Sequence, residues 1–295
     1  MEQKRLLIID GHSLLFRAFH ALPPLTNQQG QPTGAVYGFL LTLFKAIKDV
    51  KANCIVACFD TEKPTFRHEA FIDYKGQRPK MPEGIASQIP IAKQVLEALG
   101  IPLFEKEGFE ADDLIATIAE QAKKDAEVFI VSGDLDTLQL VDDKVKVYTL
   151  GKSIREGLIY DAGRVRERFG VTPAQMNDFK ALTGDASDNI PGVPGIGKTT
   201  AADLISRFGS VKQLYQEMET DTALLKPKIK EALKQNKEKA FLSLDLVVAK
   251  KDVALEFSVQ KCVFGTFDKE KVKTLFQVLE FNSLIEKLPG VTIHL

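Results

Sequence analysis

No uninterrupted apolar stretch in this sequence approaches the length of a membrane span, and its longest hydrophobic runs are strand-sized. Its cysteines are few. Cys54, Cys58 and Cys262 are odd in number and lack the paired spacing of a zinc site. Cys54 and Cys58 share one apolar run, as core residues of a protein from a reducing compartment would. The start, Met1 to Arg5, lacks the apolar region and small-residue cleavage site of a signal peptide, so the cytoplasm is the expected location. Internal repeats and low-complexity segments are missing. So is a strong net charge, because 39 basic and 40 acidic residues leave −1, which by itself gives no nucleic-acid footprint.

What the chain does have is a series of carboxylates at element ends: Asp10, Asp60, Glu110, Asp112, Asp113, Asp134, Asp136, Asp185 and Asp188. Three of them close apolar runs: Leu6 to Asp10, Ile55 to Asp60 and Val128 to Asp134. Such β-branched runs read as strands buried on both faces of a parallel sheet. An acid at a strand's carboxyl end lies at the edge where open α/β sheets place their sites. Acids gathered there repel unless something positive sits among them, and hard divalent cations with oxygen ligands answer that need. With the acids set aside, the remainder is positively charged, and its cations cluster in 63–80 and 226–251. Local phosphate tracks are compatible with that pattern.

At 295 residues and 44% hydrophobic content, the chain is large enough for an ample core. Val36, Phe39, Leu40, Leu43, Phe44 and Ile47 recur at helical spacing. Ile85, Ile89, Ala92, Val95, Leu96 and Leu99 predict another helix, closed by Gly100. Ile101 to Phe104 reads as a short strand, Ala111 to Lys123 as a helix, and Val145 to Tyr148 as a further strand, giving at least five. Strands alternating with helices mean an α/β doubly wound sheet. Beyond about Val171 strand signals stop and helices separated by Gly/Pro turns take over. The expected division is an α/β core over 1–170, a helical subdomain over 171–250, and a closing segment over 251–295. Within that last segment Val272, Leu275, Phe276 and Leu279 form a helix expected to pack back on the core.

Glu110-Ala111-Asp112-Asp113 opens a helix. Acids in a first turn complement the helix dipole, but three in four residues exceed what capping needs. Asp134 and Asp136 follow a Ser-Gly turn that can direct both into one cleft; an Asx turn is their plain alternative. Gly192 to Thr199 fits the phosphate-loop pattern G-x-x-x-x-G-K-T, which would make the protein an ATPase or GTPase. A buried strand should precede such a loop, whereas Asp185 to Pro191 does, and Pro191 and Pro194 remove two backbone donors. The favoured alternative is a helix–hairpin–helix: helix Ala174–Leu182, a Gly195-Ile196-Gly197 turn, and helix Thr199–Phe208. Its glycines let the backbone approach a DNA phosphate beside a helix N-terminus. In the segment 71–80, Lys75, Arg78 and Lys80 accompany Tyr74. The cations suit phosphate and the ring suits base stacking, although a solvated loop is the simpler reading. Arg17 and Arg67 each lie seven residues beyond a strand-end acid, within reach of the same phosphate or of structural ion pairs.

Taken together, these stretches resemble the 5′-nuclease domain at the N-terminus of bacterial DNA polymerase I and the wider flap-endonuclease superfamily. The resemblance is carried by Ile8-Ile9-Asp10-Gly11-His12-Ser13 with Arg17-Ala18-Phe19, and by Phe59-Asp60 with Thr65-Phe66-Arg67. Tyr74-Lys75, Arg78-Pro79 and Met81-Pro82-Glu83 extend it, as do Glu110 to Asp113 and Gly184 to Val193. It runs from about residue 5 to 288, and no polymerase or proofreading domain follows, so a free-standing form or a cut-out of the larger enzyme is expected. All nine acids of the family pattern are present; Leu135 departs from the polar or basic residue usual between Asp134 and Asp136.

The resemblance implies a resolvase/PIN-like nuclease core over 1–170 with a helical arch near 68–92, and in the helical DNA-binding subdomain over 171–250 a helix–three-turn–helix that binds duplex DNA, with K⁺ held by hairpin carbonyls. It implies Mg²⁺- or Mn²⁺-dependent hydrolysis of 5′ flaps and 5′-exonucleolytic removal of nucleotides at nicks and 5′ ends, RNA primers and RNA–DNA hybrids included. A monomer working alongside a DNA polymerase is expected. On this reading Asp10, Asp60, Glu110 and Asp112 serve a first metal, and Asp113, Asp134, Asp136, Asp185 and Asp188 a second, ~4 Å away. Lys75 and Arg78, with Arg67, Arg17 and Tyr74, attend the scissile phosphate. Gly192, Gly195, Ile196, Gly197, Lys198, Thr199 and Lys80 contact DNA. The rivals are a P-loop nucleoside triphosphatase and a DNA-structure-binding protein without chemistry.

Overall fold

Apolar strands buried on both faces organise this computed structural model, which describes residues 3–150, 156–220 and 225–288; the last seven residues of the expected closing segment, 289–295, lie outside them. β1 (Arg5–Asp10) leads to α1 (Gly11–Ala21) and α2 (Gly34–Val50). β2 (Cys54–Cys58) leads to α3 (Phe66–Ala70), α4 (Glu83–Ala86) and α5 (Ile89–Ala98). β3 (Leu103–Phe104), α6 (Ala111–Ala122), β4 (Glu127–Val131), β5 (Val145–Leu150) and β6 (Gly157–Tyr160) complete the core. The strands form one sheet in the order β3-β2-β1-β4-β5-β6, parallel throughout except for the β5–β6 pair. Chain order reverses between β1 and β4, so the carboxyl ends of these two strands border the crevice that such a switch point opens.

In register, Ile8 lies opposite Val56 and Ile130. With Leu6 and Val128 these residues face α6 and join an apolar cluster that continues into the helical half of the chain. Leu7, Ile9, Ile55, Phe129 and Val131 point the other way, into a second cluster with α2 and α5. That helical half comprises α7 (Ala162–Phe169), α8 (Met176–Thr183), α9 (Lys198–Phe208), α10 (Val211–Thr220), α11 (Pro227–Gln235) and α12 (Lys237–Val247). α13 (Lys269–Val278) and α14 (Asn282–Ile285) follow, and α13 buries Val272 and Phe276 in the second cluster.

One expected helix is two. The run from Ile85 to Leu99 breaks at Ser87–Gln88, where Pro90 starts a fresh helix in α5. Gln88 is buried, and its Oε1 accepts hydrogen bonds from the amides of Ala35 (2.8 Å) and Val36 (3.1 Å). The break therefore places a side-chain cap on the N-terminus of α2, whose first amides need partners.

After α12 the chain returns across the core as an extended strap, held largely by side chains. Arg67 Nε and Nη2 donate to the carbonyls of Leu246 (2.8 Å) and Val248 (3.0 Å). Gln139 receives the amide of Ala249 (2.9 Å), Asp113 that of Lys250 (2.8 Å), and Thr117 that of Val253 (3.2 Å). Behind the strap, Arg67 and Asp113 form a two-pronged ion pair at 2.8 and 2.9 Å, with side chains 3% and 0% exposed. Removing one member of a fully buried pair strands the other's charge. Arg67→Met is expected to lower the unfolding free energy by about 3–5 kcal/mol, measured by urea denaturation. The double variant Arg67→Met/Asp113→Leu should recover much of that loss; failure to recover would show that the strap carbonyls, not the charge, dominate.

Candidate active site

Asp10, Asp60 and Asp134 end or follow β1, β2 and β4 at one edge of the sheet. Asp10 caps α1 by accepting from the Ser13 amide at 3.2 Å, and Ser132 Oγ donates to its Oδ2 at 2.6 Å. Ser13 Oγ in turn accepts the Gly133 amide at 2.9 Å, so the turn after β4 is tied to the first turn of α1. Asp60 accepts from the Ala111 amide at 2.7 Å, which brings it to the start of α6 beside Glu110 and Asp112. Burial and the charges of Asp60 and Asp134 raise Asp10 to about 7, against the pull of the Ser132 hydrogen bond. Burial and the charges of Asp10, Asp134 and Glu110 raise Asp112 well above its ordinary range, opposed by Lys75. Burial is the largest cause of both shifts, and repulsion between the acids adds to it.

Cations compensate the rest. Lys75 Nζ lies 2.8 Å from Glu110 and 3.9 Å from Asp188, and Arg78 pairs with Asp188. Lys75 reaches these acids from a backbone at φ 55°, left-handed for a non-glycine residue, and its amide donates to the Asp188 carbonyl at 2.9 Å. Asn189 Nδ2 donates to the Asp73 carbonyl at 2.8 Å, a second tie between the 71–78 turn and the loop after α8. Lys180 of α8 bridges Asp136 and Asp185. Burial and the Asp134 charge lift Asp136 to about 7 even so. Asp185 resists the upward push of burial and is held down to about 2 by Lys180 and Ser187.

Several sequence expectations need correction. Asp113 has no oxygen to spare for a metal: besides Arg67 it accepts the amides of Glu110 (3.1 Å) and Lys250 (2.8 Å). Arg67 is committed to that pair and to the strap, which makes it a structural residue, not a contact to phosphate. Tyr74 is 3% exposed and cannot stack a base; its hydroxyl donates to Glu110 at 3.1 Å and lies 3.4 Å from Asp188. Arg17, half-buried on α1, donates to the Leu150 carbonyl at 2.9 Å. Lys80 is exposed. Sequence reasoning passed over Ser13, Ser132, Ser187 and Lys180. Ser132 and Ser187 had a signal, standing two residues from Asp134 and Asp185; Lys180 had none, because only the fold brings it between two acids.

α8 and α9 flank the glycine-rich turn. Before it, 184–197 contains an Asp185–Ile190 bridge and no strand, so the phosphate-loop context is missing. Gly195 and Gly197 are exposed, with open space where a Cβ would be, and Lys198 and Thr199 begin α9 on the surface. Gly192 and Ile196 are different. Both are buried, and their amides are used internally, by Ser243 Oγ (3.0 Å) and the Val193 carbonyl (3.0 Å). They shape the turn and do not present it.

The donor set, oxygen throughout and short of positive charge around Asp10 and Asp112, fits hard divalent cations. Among the described residues no three acidic, histidine or cysteine side chains converge closely enough to grip one ion as they stand. The reason is visible at Glu110, Asp136, Asp185 and Asp188, whose oxygens are turned toward Lys75, Lys180 and Arg78.

Two family models match the chain: the N-terminal resolvase-like domain of 5′-3′ exonucleases over residues 5–170, and their C-terminal SAM-fold domain over 171–270. DNA polymerase I of Bacillus subtilis (strain 168) is 42% identical over 288 residues, 97% of this chain and 32% of that protein. DNA polymerase I of Mycobacterium tuberculosis (strain H37Rv) is 40% identical over 286 residues, 96% of this chain and 31% of its own length. The chain therefore spans about a third of these relatives. Among solved structures, T5 5′-exonuclease with bound zinc superposes with a TM-score of 0.71 at 25% identity, covering 94% of this chain and all of that one. The catalytic core of Rad2 in complex with DNA shares the fold at 15% identity, with a TM-score of 0.63 over 98% of this chain and 93% of its own.

Gly192 sits at φ 60°, and a Cβ there would lie 2.3 Å from the Gly184 nitrogen. Strain and overlap together make Gly192→Ala cost about 2–5 kcal/mol. A urea midpoint that moves by less than a fifth of that expectation would mean the turn relaxes freely.

Proposed function

The chain belongs to the 5′-3′ exonuclease family, and on that premise we propose that it hydrolyses phosphodiester bonds at 5′ flaps, nicks and 5′ ends of DNA. The observation that carries this reading is the gathering of acids from five separate segments beside the carboxyl edge of one sheet, in a chain that also has a glycine-rich turn with exposed backbone. RNA primers and RNA–DNA hybrids are proposed as further substrates. A monomer in the cytoplasm, working beside or as part of a DNA polymerase, is the proposed setting. No helix among the described residues is long and apolar enough to cross a membrane.

Asp10, Asp60, Glu110 and Asp112 are proposed to hold one Mg²⁺ or Mn²⁺, and Asp134, Asp136, Asp185 and Asp188 a second; Asp113 is left out because its oxygens are spent. Bound, such ions supply an activated water and neutralise a leaving oxygen. The chain's own residues do the remainder. Lys75 and Arg78 are already at the acids, on a turn latched to the loop after α8, so their charges can pass from carboxylate to phosphate over a short distance. Charge placed where the transition state develops it is the largest single contribution such a site can make. Gly195, Gly197, Lys198 and Thr199 offer exposed amides, a hydroxyl and an ammonium to a duplex phosphate at the start of α9. Carbonyls of the same turn are the proposed K⁺ ligands.

An end-labelled 5′-flap duplex tests this directly. Cuts near the single-strand/duplex junction are expected with Mg²⁺ or Mn²⁺ and none with EDTA. Duplex binding without cuts under either metal would leave a binding module. Asp134→Ala should abolish cleavage while retaining binding. Lys75→Ala should slow single-turnover cleavage by about 100-fold or more with little change in Kd; a change confined to Kd would make Lys75 a docking contact.

A further inference from the structure

Of the acids proposed as metal ligands, Asp136 and Asp185 are both in close contact with one ammonium, that of Lys180, whereas Lys75 is close to Glu110 (2.8 Å) and stands 3.9 Å from Asp188. Lys180 emerges from α8, five residues before Asp185, and its side chain is only 17% exposed. Its ammonium contacts Asp136 on the turn after β4 and lies 2.7 Å from Asp185. Asp185 is further fixed by the amide (2.8 Å) and hydroxyl (2.6 Å) of Ser187. The two acids belong to different halves of the molecule, and the ammonium is the direct link between their carboxylates. A divalent ion held by Asp136 and Asp185 would compete with the ammonium for their oxygens.

We propose that Lys180 is a built-in countercation that holds Asp136 and Asp185 together in the metal-free protein and sets how weakly that site takes a divalent ion. This rests on the nuclease reading above and deepens it. Two acids brought together without a cation repel, so an ammonium preserves the site between turnovers. The same ammonium must then be displaced, or tolerated at close range, by an incoming double charge, and at such distances that repulsion is large. Asp10 and Asp112 make no ion pair among the described residues, and in their half only Glu110 meets an ammonium, that of Lys75, so the barrier there is lower. The two halves of the site should therefore fill unequally: the Asp10/Asp112 half first, the Asp136/Asp185 half only at higher metal concentration.

The full chain would be titrated with Mn²⁺, free ion being followed by electron paramagnetic resonance and heat by calorimetry. The wild type, Lys180→Met and Lys180→Arg would be compared, with circular dichroism confirming that each is folded. One tighter and one weaker site are expected in the wild type. Lys180→Met should tighten the weaker site on the order of tenfold or more, leave the tighter one unchanged, and melt at a lower temperature without metal, with Mn²⁺ restoring it. Lys180→Arg, which keeps the charge, should titrate like the wild type. Superposable curves for wild type and Lys180→Met, or a weaker site loosened by the change, would overturn the proposal. If the wild type binds and cuts a flap while these curves coincide, only the role of Lys180 fails. A wild type that neither binds Mn²⁺ nor cuts takes the nuclease reading down with it.

Discussion

Repulsion among carboxylates is the constraint around which this molecule is arranged. A doubly wound sheet necessarily opens a crevice where its chain order reverses, and here Asp10 and the Ser132–Asp134 turn border it. Acids placed there cost stability unless each is compensated. The compensation divides the site in two. On one side Ser132, Ser13 and the amide of Ala111 offer hydrogen bonds but no full charge, and Asp10 and Asp112 are pushed upward. On the other, Lys75, Arg78 and Lys180 contribute formal charge from α8 and from the turn ahead of α4. Elements distant in sequence are thus held in place partly by the charges they neutralise.

The helical half is joined to the sheet by a different device. An extended segment after α12 crosses the core with its backbone bonded to Arg67, Asp113, Thr117 and Gln139. These residues stand on α3, on α6 and on the turn following β4. Each of the two groups that flank the crevice therefore has one face toward the strap and one toward the acids: Asp113 and Asp112 are adjacent on α6, and Gln139 shares its turn with Asp136. Displacement of the strap would be felt at the acid cluster through single side chains.

Much of this was legible in the sequence, for definite reasons. β1, β2 and β4 read clearly because both faces are buried and the runs are continuously apolar; their terminal acids followed directly. β6 did not, being four residues at an antiparallel edge. The break between α4 and α5 was hidden because Ile85 and Ile89 keep helical spacing across it, while its cause, the Gln88 cap on α2, is a contact over 53 residues. In the site, the pattern of acids was readable but their partners were not. Asp113 and Asp112 are indistinguishable neighbours until α6 turns one toward Arg67 and the other toward Asp10. Lys180 is one lysine among many until α8 is placed against the turn after β4.

Lys75 carries one further consequence. Its left-handed backbone would suit glycine or asparagine better than a lysine. Selection for thermal robustness alone would therefore drift toward those residues and discard the ammonium. A glycine or asparagine there would relax the backbone and remove the ammonium that lies 2.8 Å from Glu110, so a stability-driven redesign of this fold would strip the acids of a countercation.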